Sequence, residues 1–432
     1  MARIMPYNAV YFNQGKAGRI SDLICPPYDV ISIKQAEQFR LKSQHNAIWI
    51  EFNDKKNEDF HAQSARRFNN WLEQGILVRA NRPGIYFYEQ EFEFVLGGEK
   101  RKSKRRGFFA LLGLSEYEKG EVLRHEHTLK APKEDRLKLL KASYANFSPI
   151  FVLYSDPGLA LVSELSQAIS SEPVFEFEDE QGFRHRLFGI YDERIITRVR
   201  ELLSNQPVYI ADGHHRYETG LAFYQELAQA GHPLAQSAGW ILSYFCPIPE
   251  PGLIIFPYHR LVRNLLLAKI QNLRERIAES FEAHLFSAQL HPGKAGEIFK
   301  RLSETPGRVM MMMDSQARSW LLKLKSSLLQ EMENKLDVEI LEELILARIL
   351  MISRKELFEE NFMVYETDEV RVIERMIEEK FQLGFLLKPI SINSVIERAK
   401  KGLVMPEKST YFYPKLPTGL TFRKLAFDSE LK

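Results

Sequence analysis

Two cysteines in 432 residues, Cys25 and Cys246, each followed by proline, leave no disulfide framework to build. So few in so long a chain fit a reduced cytoplasmic protein whose thiols are structural. A charge excess is missing as well: 59 Lys and Arg against 57 Asp and Glu give a net +2, so no global field draws the chain to nucleic acid or an anionic membrane. The longest apolar stretch, Trp240 to Pro257, is interrupted by Pro247, Pro249 and Pro251, which predicts no membrane span. The opening MARIMPYNAVYFNQ lacks the basic region, apolar block and small-residue cleavage site of a secretory signal, so the chain is expected in the cytoplasm. No glycine-rich run ending in Gly-Lys-Ser/Thr is present, and Glu407-Lys408-Ser409-Thr410 lacks the upstream glycines of a P-loop.

What is present is an ordinary globular balance, 45% hydrophobic and 27% charged, in a chain too long for one core. Periodicity predicts a mixed α/β protein in three parts: an N-terminal α/β region with a hairpin (1–114), a central core (115–265), and a C-terminal α/β domain with a docked tail (266–432). In the first part a helix is expected through Phe60 to Gln74, ended by Gly75, then a hairpin from Gly84 to Leu114 with Gly97-Gly98 and the basic run Lys100 to Arg106 as its solvated tip. In the core a helix starts at Pro132, Pro149 to Tyr154 is extended, and Gly158 to Gly189 reads as a helix and a hairpin. A helix from Asp192 to Leu203 then leads to the strand Pro207 to Ala211. The last part predicts strands at Val309 to Met313, Trp320 to Leu324 and Phe381 to Leu387, and a helix from Asp337 to Leu350.

The strongest chemical signal is Tyr209-Ile-Ala-Asp212-Gly213-His214-His215-Arg216-Tyr217, a strand, a glycine turn and a helix start carrying an acid, two imidazoles and a guanidinium. Gly213 permits a backbone conformation barred to other residues, the first N–H groups of the helix point outward, and Arg216 offers phosphate a planar fork. The second signal is Arg124-His125-Glu126-His127-Thr128, with a general-base carboxylate between two imidazoles. Reading His125, His127, Asp212, His214 and His215 as ligands of a divalent metal lacks the support of an HExxH pair, and no metal ligand is assigned.

Three further stretches carry chemistry-bearing residues. His259 and Arg260 follow an apolar strand and are candidates to close the same pocket, although a buried His259 beside a surface Arg260 explains them equally well. Asp29 in the Pro-Pro-Tyr-Asp turn is a candidate to approach the site, but a rigid turn with an Asx hydrogen bond is the favoured account. Lys408 and Lys415 are weak candidates to cover a bound phosphate, with a tail held through aromatic packing as the default.

The order of these elements, HEHT, a helix, the strand SPIFVLY and YIADGHHRYE at a strand-to-helix turn, resembles the ParB and sulfiredoxin-like fold. Its DGHHR turn is similar to that of free serine kinases. Over nearly the full length the chain resembles the family catalogued as domain of unknown function 1015, through CPPYDVIS, RHEHT, ADGHHRYET, PYHR and MPEKSTYFYPK. The kinase resemblance implies a phosphotransferase that moves a phosphoryl group from ATP, ADP or pyrophosphate, with Mg²⁺, to a small free-serine-like hydroxyl compound. Glu126 is then the general base, Asp212 and His215 assist transfer, and Gly213, His214 and Arg216, with Arg124 and His125, hold the phosphates. His127, Thr128, His259 and Arg260 are left on the substrate side. The same turn and base fit a phosphatase acting on a phosphomonoester such as phosphoserine, and the fold fits a ParB-like nucleotide-binding regulator. The expected partners are the nucleotide, the small substrate and a second copy of the chain, without nucleic acid or membrane. The 155–206 insertion departs from the short connection found in both families and leaves the substrate open.

Overall fold

Two long runs rich in aromatic and β-forming residues, Ile85–Leu96 and Glu99–Gly113, pair antiparallel across Gly97 and Gly98. Both glycines sit at positive φ, as a two-residue hairpin turn requires. The computed structural model describes residues 1–53, 59–128, 130–169, 172–353, 356 and 362–428. Among them the hairpin is the middle of a mixed nine-stranded sheet. The order is Val122–Leu123, Val208–Asp212, Ile150–Ser155, Trp240–Ile248, Glu99–Gly113, Ile85–Leu96, Arg184–Ile190 and Phe175–Glu178, with Ile4–Met5 also paired to Glu99–Gly113. Six antiparallel strands form a second sheet from Phe281–Ser287, Ser319–Leu324, Val309–Asp314, Leu383–Leu386, His259–Val262 and Met363–Glu366. The protein is thus mixed α/β.

Alternation along the strands places a core on each face of the large sheet. Phe109 and Leu111 join Phe151, Tyr244 and Phe412 on one side; Phe108, Ala110 and Leu112 join Ile150, Val152, Ile210 and Tyr217 on the other. The sheet runs through residue 114, because Trp240–Ile248 bonds directly to Glu99–Gly113, and His259–Val262 already belongs to the second sheet. The hairpin of the 155–206 segment extends the large sheet at the edge opposite Val122–Leu123; residues 170 and 171 of that segment lie outside the described residues.

Most predicted elements occur where expected, including the helix Phe60–Glu73 followed by Gly75 at φ 69°. The basic run differs: it lies on the strand, and the tip is the glycine pair. Facing glutamates account for this, with Glu93 pairing Lys100 and Lys102 at 2.9 Å, Glu89 pairing Lys104 at 2.6 Å, and Arg105 fully buried against Gln90 and the Pro414 carbonyl. The helix at Asp337–Ile340 continues through Leu341–Ile349 with wider, π-type turns.

The tail docks, as its composition predicted. Met405 N donates to His125 O at 2.7 Å, Tyr411–Tyr413 pairs with Ile254–Phe256, and Thr418 and Phe422 bridge to Cys25 and Val10. Among the described residues no helix is long and apolar enough to cross a membrane.

Candidate functional site

The strand Val208–Asp212 ends at the surface of the large sheet, and Gly213 turns the chain into the helix His214–Gln229. Gly213 stands at φ 92°, ψ 28°, and a Cβ there would lie 3.0 Å from Ile150 and 3.1 Å from the Arg216 guanidinium. Both facts demand glycine. As N-cap, Gly213 has no side chain to offer this 16-residue helix, whose first N–H groups point outward where an anion can bind. Tyr217 anchors it from below, its hydroxyl 2.7 Å from Ser115 O and 3.1 Å from Ser115 N. Gly213→Ala is expected to weaken phosphate binding by about tenfold or more and to lower stability by roughly 1–3 kcal/mol, from backbone strain and the displaced guanidinium. Pyrophosphate titration and thermal melting check both.

Asp212 is sandwiched between cations. Its Oδ2 accepts from Arg216 Nη2 at 2.7 Å and its Oδ1 from Lys415 Nζ, while Arg216 Nη1 also donates to the Pro149 carbonyl. Burial alone would raise the carboxyl, but Lys415 and Arg216 outweigh it and hold Asp212 well below the usual carboxylate range. The same contact overcomes the burial of Lys415 and keeps its ammonium protonated. One anion between two cations leaves the cluster net positive.

Glu126 is placed by the returning tail. Its segment bridges in parallel to Met405, and its Oε1 accepts the Lys408 N–H at 3.0 Å. Lys408 adopts φ 55°, and its carbonyl is held at 3.1 Å by Arg260, which also donates to the Tyr258 carbonyl. Burial pushes the Glu126 carboxyl up to about 7, against the Lys408 hydrogen bond, which lowers it. A quarter of the side chain remains open.

The nearest imidazole to Glu126 is that of His214, at 3.7 Å, beyond hydrogen-bond range. It packs edge-on to His125, with ring centroids 4.7 Å apart. Burial first, and each other's proximity in the case of His214, keep both rings neutral, with His125 pushed down to about 4.

Glu126, Asp212, Gly213, His214, His215 and Arg216 therefore line one cavity of about 170 Å³, together with Tyr28, Asp29, Lys408 and Lys415. Other expected members stand elsewhere. His125 lies behind His214 with Nε2 3.1 Å from Thr410, so it and its neutral neighbour offer phosphate no charged side chain. Arg124 and Thr128 turn to Glu218, at 3.1 and 2.6 Å, which Lys133 also reaches at 2.9 Å. That local carboxylate keeps Arg124 off the cavity, and His127 is exposed outside it.

His259 and Arg260 do not line the cavity either. His259 is fully buried, accepting from Leu387 N at 3.2 Å, and burial pushes its ring down to about 3. Arg260 is buried too, neither closing the pocket nor standing at the surface as the two readings had it, and serves the Lys408 backbone instead.

Lys415, Lys408 and Asp29 belong to the cavity, where the sequence favoured packing and a rigid turn over a place at the site. The Pro-Pro-Tyr-Asp turn comes there because Arg136 stacks over Tyr28 at 4.2 Å, pairs with the buried Glu51 at 3.4 Å, and Cys25 bridges to Thr418. Asp29 itself is exposed at the rim. Clustered lysines among tyrosines in MPEKSTYFYPK were the available signal for the tail.

No curated protein matches the chain. Solved structures that it resembles include a free serine kinase variant in complex with ADP, at 13% identity and TM-score 0.37 over 70% of this chain and 86% of that one. A conserved hypothetical protein from Pyrococcus furiosus shares 13% identity at TM-score 0.35, covering 74% and 96% of the two chains. SbnI from Staphylococcus aureus, truncated at its C-terminus, shares 10% at TM-score 0.32, covering 74% and 88%. Residues 4–339 match the family DUF1015, described as a protein of unknown function, and the chain belongs to that family.

Proposed function

We infer that this protein is a phosphotransferase that moves a phosphoryl group from a nucleotide, ATP or ADP, or from pyrophosphate, to a small hydroxyl compound of the free-serine type. The observation that carries this reading is the pairing, in one cavity, of a carboxyl poised near 7 with a glycine-capped helix N-terminus flanked by Arg216 and Lys415. Phosphoryl transfer asks mainly for positioning and charge neutralisation. The acceptor hydroxyl gives its proton to Glu126 as its oxygen bonds to phosphorus. The bond from phosphorus to the leaving phosphate breaks, and its electron pair stays on the leaving oxygen, facing Arg216, Lys415 and the helix N–H groups. Asp212 holds the two cations in place, and His215, half-buried at the cavity wall, is neutral enough to donate or accept one hydrogen bond to substrate.

Mg²⁺ needs only one or two carboxylates besides phosphate oxygens, and Asp29 and Glu407, which line the cavity, are the residues that would supply them. Its charge, when bound, neutralises the donor phosphates.

Phosphorus NMR tests the reading. The purified protein is incubated with Mg²⁺, each donor in turn and free serine, with phosphoserine in a parallel tube. New phosphomonoester from a donor supports transfer. Inorganic phosphate released from phosphoserine, with no transfer, replaces the reading with hydrolysis; nucleotide binding without turnover on a panel of small hydroxyl compounds replaces it with a nucleotide-dependent regulator.

A further inference from the structure

A second cavity of about 250 Å³ lies on the other side of Lys415 from the phosphate turn. The two share their walls. From the Pro-Pro-Tyr-Asp turn, Tyr28 and Asp29 face the first cavity while Cys25, Pro26 and Val30 face the second; from the tail, Thr410 faces the first, Tyr411 and Tyr413 the second, and Lys415 both. Small-molecule sites usually occupy roughly 300–1,000 Å³. Neither cavity reaches that alone; taken together, with Lys415 as their common wall, they do.

The far wall of the second cavity comes from the 155–206 insertion, whose hairpin tip is rigidly built. Asp179 Oδ1 accepts from Gln181 N at 2.9 Å and Phe183 N at 3.0 Å, and its Oδ2 meets His185 Nε2 at 3.0 Å. His185 is itself buried, with Nδ1 2.6 Å from the Tyr88 hydroxyl. The lining combines flat apolar faces, from Phe39, Phe183 and Tyr411, with the amides of Gln90 and Gln181. Gln90 is buried and oriented by Arg105, 2.7 Å from its carbonyl oxygen.

Charge gives the pair of cavities a direction. Arg216 and Lys415 stand at the first beside the glycine-capped helix N-terminus, whereas in the second the cation besides Lys415, Lys42, is taken up by Glu180 at 2.5 Å and offers phosphate little there. A ligand that is anionic at one end and a flat, hydrogen-bonding ring at the other fits both.

We propose that the second cavity holds the nucleobase of a nucleotide whose phosphates lie on the Gly213 to Arg216 turn, so that the insertion supplies base recognition. This rests on the phosphate-site reading above. It gives the inserted segment a task that a short connection cannot perform.

Calorimetric titration with ADP and, separately, with inorganic pyrophosphate tests it in the wild type and in two cavity variants. Gln181→Trp fills the cavity from an exposed position, and Phe39→Ala removes a half-buried aromatic face; melting curves confirm that both fold. The expected result is tighter binding of ADP than of pyrophosphate by the wild type, a loss of about tenfold in ADP affinity in each variant, and unchanged pyrophosphate affinity. Equal wild-type affinities, or variants that leave ADP binding intact, overturn the base site while the phosphate turn stands. A wild type that binds neither ligand overturns both readings.

Discussion

Replacing Glu126 with glutamine is expected to reduce phosphoryl transfer by about 10²- to 10⁴-fold, the usual contribution of a positioned general base, while nucleotide affinity stays unchanged. Glutamine keeps an oxygen for the Lys408 N–H and removes only the proton acceptor. The pH profile carries the sharper signature. Burial pushes the carboxyl up to about 7, so below that pH the base is protonated and idle, and turnover rises as pH climbs through it. The variant's residual rate should lack that rise. A wild-type rate that falls across the same interval, or a variant that retains turnover, removes Glu126 from the reaction.

The same carboxyl has a stability cost of opposite sense. Its folded pKa lies above the unfolded value of 4.5, so the fold binds the proton more tightly than the unfolded chain does. Stability associated with this group is complete below the unfolded pKa and is lost as pH rises through about 7. Glutamine, neutral at every pH, escapes the loss. Glu126→Gln should therefore exceed the wild type in stability at about pH 8, by on the order of 2 kcal/mol, and match it at about pH 4. Denaturant unfolding at the two pH values measures the difference, and a variant less stable at the higher pH contradicts the assignment.

The site was legible in the sequence wherever local chemistry and local structure coincide. A β-rich run, a glycine, and polar residues at a helix start are enough to place Asp212, Gly213 and Arg216, because a strand-to-helix turn needs few neighbours to form. Arg124 and Thr128 were misplaced because their partner, Glu218, lies about ninety residues on, along the helix that follows the phosphate turn. Lys415 stood only as a weak candidate for the converse reason: a docked tail was expected, but no period or motif shows that it returns to Asp212, two hundred residues before it. The fold follows the same rule. Hairpins and helices were readable one at a time, while the merging of the 85–113 hairpin, the core strands and the inserted hairpin into one sheet depends on pairings between distant segments. The basic strand shows the limit well, since its lysines are matched by glutamates on the neighbouring strand and only that register reveals why a charged run is extended.

Asp212→Asn is expected to cost the free protein about 3–5 kcal/mol, because it leaves the Lys415 ammonium and the Arg216 guanidinium facing each other, both largely buried, with no counter-ion between them. The pH dependence follows from the depressed carboxyl. Its stabilising contribution is present above the ordinary carboxylate range and disappears as pH falls through the lowered pKa, so the difference between variant and wild type should be largest near neutrality and shrink in acid. Phosphate distinguishes a counter-ion from a group that acts on substrate. If Asp212 serves mainly to hold the two cations, pyrophosphate takes its place, and the rise in melting temperature on adding pyrophosphate should be greater in Asp212→Asn than in the wild type. Arg216→Ala provides the opposite control, since it deletes the planar donor and should weaken pyrophosphate binding by roughly tenfold or more. A variant at Asp212 that loses stability and also gains less from pyrophosphate than the wild type would mean that the carboxylate contacts the ligand side directly, and the cluster would then have to be rebuilt around an anion that binds substrate instead of one that arranges the cations.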